Sequence, residues 1–145
     1  IGRHREKLEL FSFAKERYLT DDIPAELSFD HGIECCGGDG SGYAINDIIK
    51  YIKPQGSIIL MGVSEYNVNI NTRDVLEKGL TLLGSSRSGR VDFEKAVEML
   101  SNKKFERRFK NIIYLETPVK NINDIHRVFA TDLNTAFKTV FKWEI

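Results

Sequence analysis

Glycine follows three apolar runs of the sequence at the points where those runs end, and serine follows at two of them. The three endings are Cys36-Gly37-Gly38, Gly62-Val63-Ser64 and Gly84-Ser85-Ser86. Glycine lets a ligand come close to the backbone, and a serine hydroxyl can bond an amide or a phosphate. Turns after strands favour small residues in any protein, so one such glycine is uninformative. Because three successive endings share this character, a ligand-binding crevice and ordinary turns explain the pattern about equally well.

Two groups of basic residues could add charge to such a crevice. Arg87 follows the third ending, where its guanidinium could hold a cofactor or sugar phosphate, or form a salt bridge at a domain boundary. The other group, near the start of the chain, consists of Arg3, His4, Arg5 and Lys7. A solvated helix start has the same pattern, so this group alone does not identify a site.

The composition is that of a globular protein and gives no sign of a nucleic acid or a membrane as a partner. Of the 145 residues, 41% are hydrophobic and 29% charged, and 21 basic residues balance 21 acidic ones. Disorder would need fewer apolar residues and a net charge, and a nucleic-acid surface would need an excess of basic residues. No apolar run approaches the roughly 20 residues that span a bilayer.

The cysteines and two of the histidines carry no chemistry in this interpretation. Cys35 and Cys36 are adjacent, so a disulfide between them is strained, and two ligands alone do not make a structural zinc site. Reduced cysteines indicate a cytoplasmic protein. His31 falls within a predicted strand and His126 within a predicted helix, where packed or edge histidines are the usual case.

Strands and helices alternate along the first 87 residues, which predicts a parallel sheet built from β-α-β units. Runs as apolar as 57–63 and 80–86 are typical of strands buried on both faces. Ligands sit beyond the carboxyl ends of parallel strands, so the three endings should meet at one edge. The predicted elements are a strand end at 1–4, a helix at 5–13, strands at 17–20 and 29–36, a helix at 43–52, a break at 53–56, a strand at 57–63, a helix at 71–78 and a strand at 80–86.

Regular alternation ends near residue 88, where we place a domain boundary between residues 1–88 and 89–145. Asp92 is predicted to cap a helix at 93–100. The residues expected to point inward on that helix are Ala96, Val97 and Leu100. The elements predicted to follow are a strand at 112–115, a helix at 123–130 and a strand at 138–143.

Two blocks in the middle of the chain, and one near its end, have a spacing shared with a known family. Residues 29–37 read Phe-Asp-His-Gly-Ile-Glu-Cys-Cys-Gly, and residues 52–63 read Ile-Lys-Pro-Gln-Gly-Ser-Ile-Ile-Leu-Met-Gly-Val. They resemble the "D-x-x-x-E-C-x-G" and "L/I-x-P-x-G-x-I-x-x-x-G-V" patterns of medium-chain dehydrogenases/reductases, the zinc-type alcohol dehydrogenases. Residues 137–141 resemble the closing "G-K-x-V" strand of that family, although Ala136-Phe137 stands where glycine is usual.

The resemblance covers essentially the whole chain and implies a fold and a cofactor. The fold is an α/β, Rossmann-type doubly wound parallel sheet without its first strand, followed by a segment that returns to the catalytic domain. An acid usually ends the second Rossmann strand and binds the ribose of NAD, but here Gly2 and Arg3 stand there, which favours NADP. The other residues that the resemblance places at the cofactor are His4, Lys7, Cys36, Gly37, Gly62, Val63, Ser64, Ser85, Ser86, Arg87 and Lys138.

A narrower resemblance concerns residues 62–66, 70–73, 75–81 and 84–89, which are similar to those of ribulose-5-phosphate reductases. It implies that the whole protein reduces D-ribulose 5-phosphate with NADPH, with zinc stabilising the alkoxide. The product, D-ribitol 5-phosphate, would supply CDP-ribitol for teichoic acid or capsule. The alternatives are a zinc-dependent alcohol or polyol dehydrogenase with an unphosphorylated substrate, and a non-catalytic nucleotide-binding or dimerisation fragment.

Several parts of such an enzyme are expected upstream of Ile1, because the chain starts inside a predicted element. It has no G-x-G-x-x-G motif, and the family's Cys/His/Glu zinc ligands and first central strand have no counterpart in it. By itself the chain is therefore expected to be catalytically inert and to expose unpaired sheet edges. The resemblance also implies a homodimer formed through the strand from Leu80 to Ser86.

Overall fold

The computed structural model describes residues 1–135 and 137–144, so Ala136, cited above for the closing strand, lies outside the described residues. In those two ranges no helix is long and apolar enough to cross a membrane. The α-helices are α1 (Arg5–Glu9), α2 (Ser41–Tyr51), α3 (Thr72–Lys78), α4 (Arg90–Leu100), α5 (Lys103–Phe109) and α6 (Ile122–Asn134). The strands are β1 (Phe29–Glu34), β2 (Ile52–Leu60), β3 (Thr81–Gly84), β4 (Ile113–Leu115) and β5 (Lys138–Val140).

The chain divides into two compact units. One consists of Pro24–Ser88, and the other combines Ile1–Ile23 with Gly89–Ile145. The N-terminal residues thus group with the C-terminal ones. The predicted division into 1–88 and 89–145 refers to cofactor-binding and catalytic roles, and it stays a prediction.

A parallel sheet in the order β1-β2-β3 forms the centre of the Pro24–Ser88 unit, which confirms the predicted α/β fold. The register places Gly32 beside Ile58, so both belong to one face of the sheet. Ile58 is fully buried on this face and packs with Ile45 and Ile49 of α2. The spacing of four residues between these two isoleucines puts them on the same side of the helix, which is why α2 lies on the sheet.

In the described part of the chain nothing covers the opposite face of the sheet, so the prediction that the strands are buried on both faces is wrong. Ile33 and Leu83 share this face with Ile59 through the register, and they are 59% and 51% exposed. The reason is the placement of the helices. Ile48 of α2 and Val75 of α3 both pack on the Ile58 side.

The turn between α2 and β2 differs from the predicted break. The helix ends at Tyr51, one residue before the predicted end at residue 52, and β2 begins directly at Ile52 and continues through Pro54. A register shift in the β1–β2 ladder accommodates the proline, which has no N–H to donate. Gln55 there adopts a φ of 63°, in the left-handed region.

The helix α3 lies within one residue of the predicted range of 71–78. The Asn71 side chain accepts a hydrogen bond from the backbone N–H of Asp74, and Gly79 ends the helix at a φ of 60°. The Lys78 ammonium then reaches the end of α2, where it donates to the carbonyl oxygens of Ile49 (2.7 Å), Lys50 (2.8 Å) and Ile52 (3.1 Å). A cation is favourable there because the helix dipole leaves negative charge at its carboxyl end.

Replacing Lys78 with methionine should lower the free energy of unfolding by about 2 kcal/mol, because three carbonyl groups lose a charged donor. Urea unfolding measures the change. Lys53→Met is the matched control, since Lys53 makes only a surface ion pair with Asp30 at 3.0 Å, with half or more of both side chains exposed. Equal losses for the two variants would contradict the role given to Lys78.

The unit that contains the N-terminus has a shorter first helix and a shorter strand pair than predicted. The helix α1 ends at Glu9, whereas the pattern extended it to residue 13. The predicted strand at 17–20 is a single parallel bridge between Gly2 and Leu19. Its hydrogen bonds run from Gly2 N–H to the Tyr18 carbonyl (3.0 Å) and from Thr20 N–H to the Gly2 carbonyl (3.2 Å).

The helix α4 corrects two predictions. It begins at Arg90 after Gly89, and Asp92 accepts from the Gly89 N–H at 2.8 Å from inside the first turn rather than as the capping residue. Its supposed inward face is not buried: Ala96 is exposed, and Val97 and Leu100 are 65% and 47% exposed. Burial needs an opposing element, and none packs on this face in the described residues. Further along the same unit, β4 and β5 pair in parallel, and α6 connects them.

Candidate functional site

The carboxyl ends of β1 and β2 are joined by the side chain of Glu34. This residue is the last of β1 and is only 1% exposed. One carboxylate oxygen accepts from the backbone N–H groups of Cys36 (2.7 Å) and Gly37 (3.0 Å). The other accepts from the N–H of Gly62, after β2, at 3.0 Å. A single buried group thus fixes both loops at this edge of the sheet.

The Glu34 carboxyl is ionised because hydrogen bonding outweighs burial. Burial alone raises its pKa, but the hydrogen bonds lower it by more, and the net pKa lies below the ordinary value of 4.5. The donors, in order of effect, are the backbone N–H groups of Gly37, Cys36 and Gly62 and the hydroxyl of Ser41.

This buried carboxylate should make stability depend on acid pH. Its pKa is lower in the folded than in the unfolded chain, so its contribution is complete above about pH 4.5 and is lost as the pH falls through the folded pKa. We expect Glu34→Gln to be less stable than the wild type at pH 7, with a difference that shrinks below about pH 4.5. Urea unfolding at a series of pH values tests this. A pH-independent difference would show that the charge is not responsible.

Glycine at two of the predicted positions allows the loops after β1 and β2 to touch. Gly37 has a φ of 66°, and a Cβ there would lie 2.9 Å from the Val63 carbonyl oxygen. A Cβ on Gly62 would lie 2.4 Å from both the Glu34 carboxylate and the Gly37 nitrogen. The N–H of Gly38 also donates to the Val63 carbonyl at 2.8 Å. The glycines therefore serve contact between the loops, a reason different from the ligand approach that the sequence suggested.

The structure brings together the predicted residues of all three strand ends. Val63 is 84% exposed, and the neighbouring Ser64 hydroxyl donates to the Gly38 carbonyl at 3.2 Å. After β3, the Ser85 N–H extends the ladder to the Leu60 carbonyl (3.0 Å), and Ser86 is exposed. These loops all follow parallel strands, so they lie at one edge of the sheet, where α/β proteins bind ligands.

Arg87 has an unusual backbone. Its φ is 65°, a left-handed conformation that costs a residue with a side chain about 1 kcal/mol. Its side chain is exposed, and among the described residues it makes no ion pair. The domain-boundary salt bridge considered as its alternative role is therefore not formed within this part of the chain.

The remaining predicted positions belong to the other compact unit. The Arg3 side chain is exposed, and the His4 ring lies 3.5 Å from the Glu6 carboxylate. Lys7 is half-buried in α1. No carboxylate stands at the Gly2 position itself, which leaves the Arg3 guanidinium as the prominent charge there.

Lys138 begins β5 in this same unit and is exposed. Asp132 lies near it. The pKa of Asp132 is lowered, first by the hydrogen bond from the Thr139 N–H (2.9 Å), then by the Thr139 hydroxyl, and least by the charge of Lys138.

The chain's own residues do not fit a zinc site. Among the described residues, no three His, Cys, Asp or Glu side chains are grouped so that they could hold a metal ion. The free thiols of Cys35 and Cys36 are both exposed.

Sequence reasoning recorded Glu34 only as one letter of a motif and assigned it no role. A signal was available, since an acid at the end of a strand in a parallel sheet must be paired if it is buried. A cavity of about 400 Å³ beside Ser64 was also not foreseen. It lies between the first turns of α2 and the loop after β2, and its lining includes Tyr43 and Tyr66.

Known proteins resemble this chain closely. It is 74% identical, over all 145 residues, to a Streptococcus pneumoniae protein named ribulose-5-phosphate reductase. It is 46% identical, over 99% of its length, to ribulose-5-phosphate reductase 1 of Staphylococcus aureus. The chain spans 42% of the length of each of these proteins.

Structural comparison leads to the same group. The crystal structure of S. aureus TarJ in complex with NADPH matches with a TM-score of 0.93 at 45% identity, covering 99% of this chain and 46% of that one. The partial Rossmann-type fold implied by the sequence is thereby confirmed. Residues 14–102, more than half of the chain, match the family described as zinc-binding dehydrogenase. The chain belongs to the zinc-binding dehydrogenase family.

Proposed function

We propose that the protein carrying this chain is an oxidoreductase that reduces D-ribulose 5-phosphate to D-ribitol 5-phosphate with NADPH. The observation that carries the proposal is the 74% identity, along the entire chain, to a protein named ribulose-5-phosphate reductase. Its product would supply CDP-ribitol for teichoic-acid or capsule synthesis. Exposed, unpaired cysteines support a cytoplasmic setting as part of this proposal.

In this proposal residues 1–88 contribute to cofactor binding, and residues 89–145 return to the catalytic domain. Arg3 selects NADPH, since its exposed guanidinium can form paired hydrogen bonds with a 2′-phosphate and Gly2 offers no opposing carboxylate. His4, Lys7 and Lys138 add positive charge for phosphate. The similar S. aureus TarJ was crystallised in complex with NADPH, which supports this choice of cofactor.

The loops at the sheet edge hold the rest of the cofactor. Cys36 and Gly37 border its adenine side. The groups assigned to its nicotinamide end are Gly62, Val63, Ser64, Ser85, Ser86 and Arg87. When bound, NADPH supplies the hydride that reduces the ketone. The protein groups orient it and shield it from water, and zinc ligands are expected outside this chain.

A homodimer through the β3 edge is a further part of the proposal. In the described residues, β3 pairs only with β2, so its other edge is free. Unpaired edges promote association with another strand, and Leu83 beside that edge is 51% exposed. Sedimentation analysis of the complete protein should find a dimer. A monomer at all concentrations would count against this part.

Turnover of three substrates by the complete protein tests the proposed activity. With NADPH, ribulose 5-phosphate should react far faster than ribulose or sorbitol, which lack the phosphate. Comparable rates would favour a polyol dehydrogenase with an unphosphorylated substrate. No turnover together with no nucleotide binding would favour a non-catalytic role.

Replacing Arg87 with glycine should separate its charge from its backbone strain. Relief of the left-handed conformation offsets the entropy of glycine, so the free energy of unfolding should stay within about 1 kcal/mol of the wild type. The dissociation constant for NADPH should nevertheless rise about tenfold, because a phosphate-binding guanidinium is lost. Gln55→Gly is the control, since Gln55 shares the left-handed backbone conformation but lies near the amino end of β2, away from the carboxyl ends of the strands. Equal NADPH affinities in the Arg87→Gly and Gln55→Gly variants would show that Arg87 does not bind the cofactor.

A further inference from the structure

The carboxylate of Glu34 accepts hydrogen bonds from backbone groups of the loops after β1 and β2. The N–H groups of Cys36, Gly37 and Gly62 all point at it, and it is almost completely buried. Those three donors are therefore taken up inside the protein. They are not free to bind a ligand at the sheet edge.

The opposite ends of the same peptide groups point away from the carboxylate. In a trans peptide the carbonyl is antiparallel to the N–H, and the described residues contain no cis bond. The carbonyls of Cys35, Cys36 and Met61 therefore face away from Glu34. All three of these residues are exposed.

The two peptides that precede Cys36 and Gly37 could also adopt the reverse orientation. Glycine populates positive and negative φ almost equally, and Gly37 takes part in one of them. The N–H of Gly62 is held in addition by the backbone carbonyl of Glu34 at 3.1 Å. Without the carboxylate, the N–H groups of Cys36 and Gly37 would be buried and unsatisfied, or their peptides would rotate. The backbone of the loop after β1 therefore does not fix its own orientation.

We propose that Glu34 is a positioning residue for the cofactor, because its charge fixes the peptide orientation of the loop after β1, links that loop to Gly62, and so determines which backbone groups NADPH meets. This inference rests on the proposed function. It assigns Glu34 no contact with the cofactor and no part in proton transfer.

Kinetics of Glu34→Gln in the complete protein test the inference. Glutamine keeps the size and one acceptor oxygen, but its amide group must face an N–H at one of the loops. The KM for NADPH should rise about tenfold, the effect of one misplaced backbone hydrogen bond. The kcat and the KM for ribulose 5-phosphate should stay within about twofold of the wild type.

Lys78→Met provides the matched control, because Lys78 acts where α2 meets the amino end of β2, at the opposite end of that strand from the Glu34 junction. If Glu34 were merely structural, both variants would lose stability and keep the wild-type KM for NADPH, and that result would overturn the proposal. Glu34→Asp covers the case in which the glutamine variant does not fold. It keeps the charge but withdraws it by one methylene, so the KM should rise less, and an unchanged KM would overturn the proposal equally.

Measuring which nucleotide the wild-type protein uses distinguishes failure of the Glu34 inference from failure of the proposed function. If it uses NADH rather than NADPH, the assignment of the cofactor is wrong, and the same KM comparison with NADH tests Glu34. If it uses neither nucleotide, the function and the inference both fail.

Discussion

Alanine in place of Gly62 is expected to lower the free energy of unfolding by about 3 kcal/mol, because a methyl group there has no space. Its Cβ would lie 2.4 Å from the Glu34 carboxylate and 2.4 Å from the Gly37 backbone nitrogen. Neither neighbour can yield cheaply, since the carboxylate is buried and the nitrogen belongs to the backbone of the adjoining loop. The junction between the ends of β1 and β2 must therefore open.

Gly84→Ala is the matched control for this substitution. Gly84 ends β3 at the same edge of the sheet, but a Cβ there meets no atom within 4 Å. Its stability should therefore stay within about 0.5 kcal/mol of the wild type. Urea unfolding of both variants of the complete protein gives the comparison. If Gly62→Ala were as stable as Gly84→Ala, the close junction at Glu34 would not exist in solution.

The parallel sheet could be predicted from the sequence because its signals are local. Apolar runs of strand length alternate with segments of helical periodicity, and right-handed connections leave few ways to arrange them. The predicted helix at 71–78 likewise lies within one residue of α3, whose ends are set by the neighbouring residues Asn71 and Gly79. The strand-end loops follow from the same order of elements, so the place of the candidate site was predictable too.

Burial of particular faces could not be predicted in the same way, because it depends on what packs against them. Ile33 and Leu83 lie in runs as apolar as any buried strand, yet both are exposed. Val97 likewise occupies the apolar side of α4 without an opposing surface. A hydrophobic pattern indicates which side of an element is apolar. Whether that side is buried depends on the elements that pack against it in the tertiary structure.

The role of Glu34 escaped prediction for a related reason. Acids are usually exposed, and its burial depends on an N–H of Gly62, 28 residues further along the chain. Nothing in the residues next to Glu34 reports that distant donor. The motif marked its position, and only the three-dimensional contact gives it a physical explanation.

Removing the Arg3 side chain, as Arg3→Ala, should raise the dissociation constant for NADPH about thirtyfold while changing that for NADH about twofold or less. The two nucleotides differ only in the 2′-phosphate, so the ratio of the two constants isolates that group. Arg3 is exposed, and in the described residues no ion pair engages it, so its guanidinium is free to bind an anion. Nucleotide fluorescence titration of the complete protein measures both constants.

Replacing the neighbouring Arg5 tests whether Arg3 contacts the 2′-phosphate specifically or only adds to the positive charge that attracts it. Arg5→Ala removes the same charge two residues along, from the first position of α1, and should weaken both nucleotides only slightly, because exposed charges are screened. If the two alanine variants lost NADPH affinity equally, the preference would come from the positive potential of the cluster. A preference that is unchanged in Arg3→Ala would mean that the 2′-phosphate binds elsewhere, and Lys7 would then be the next residue to replace. The expected inequality follows from geometry, since only a guanidinium beside the strand end at Gly2 can form paired hydrogen bonds with a phosphate on the ribose.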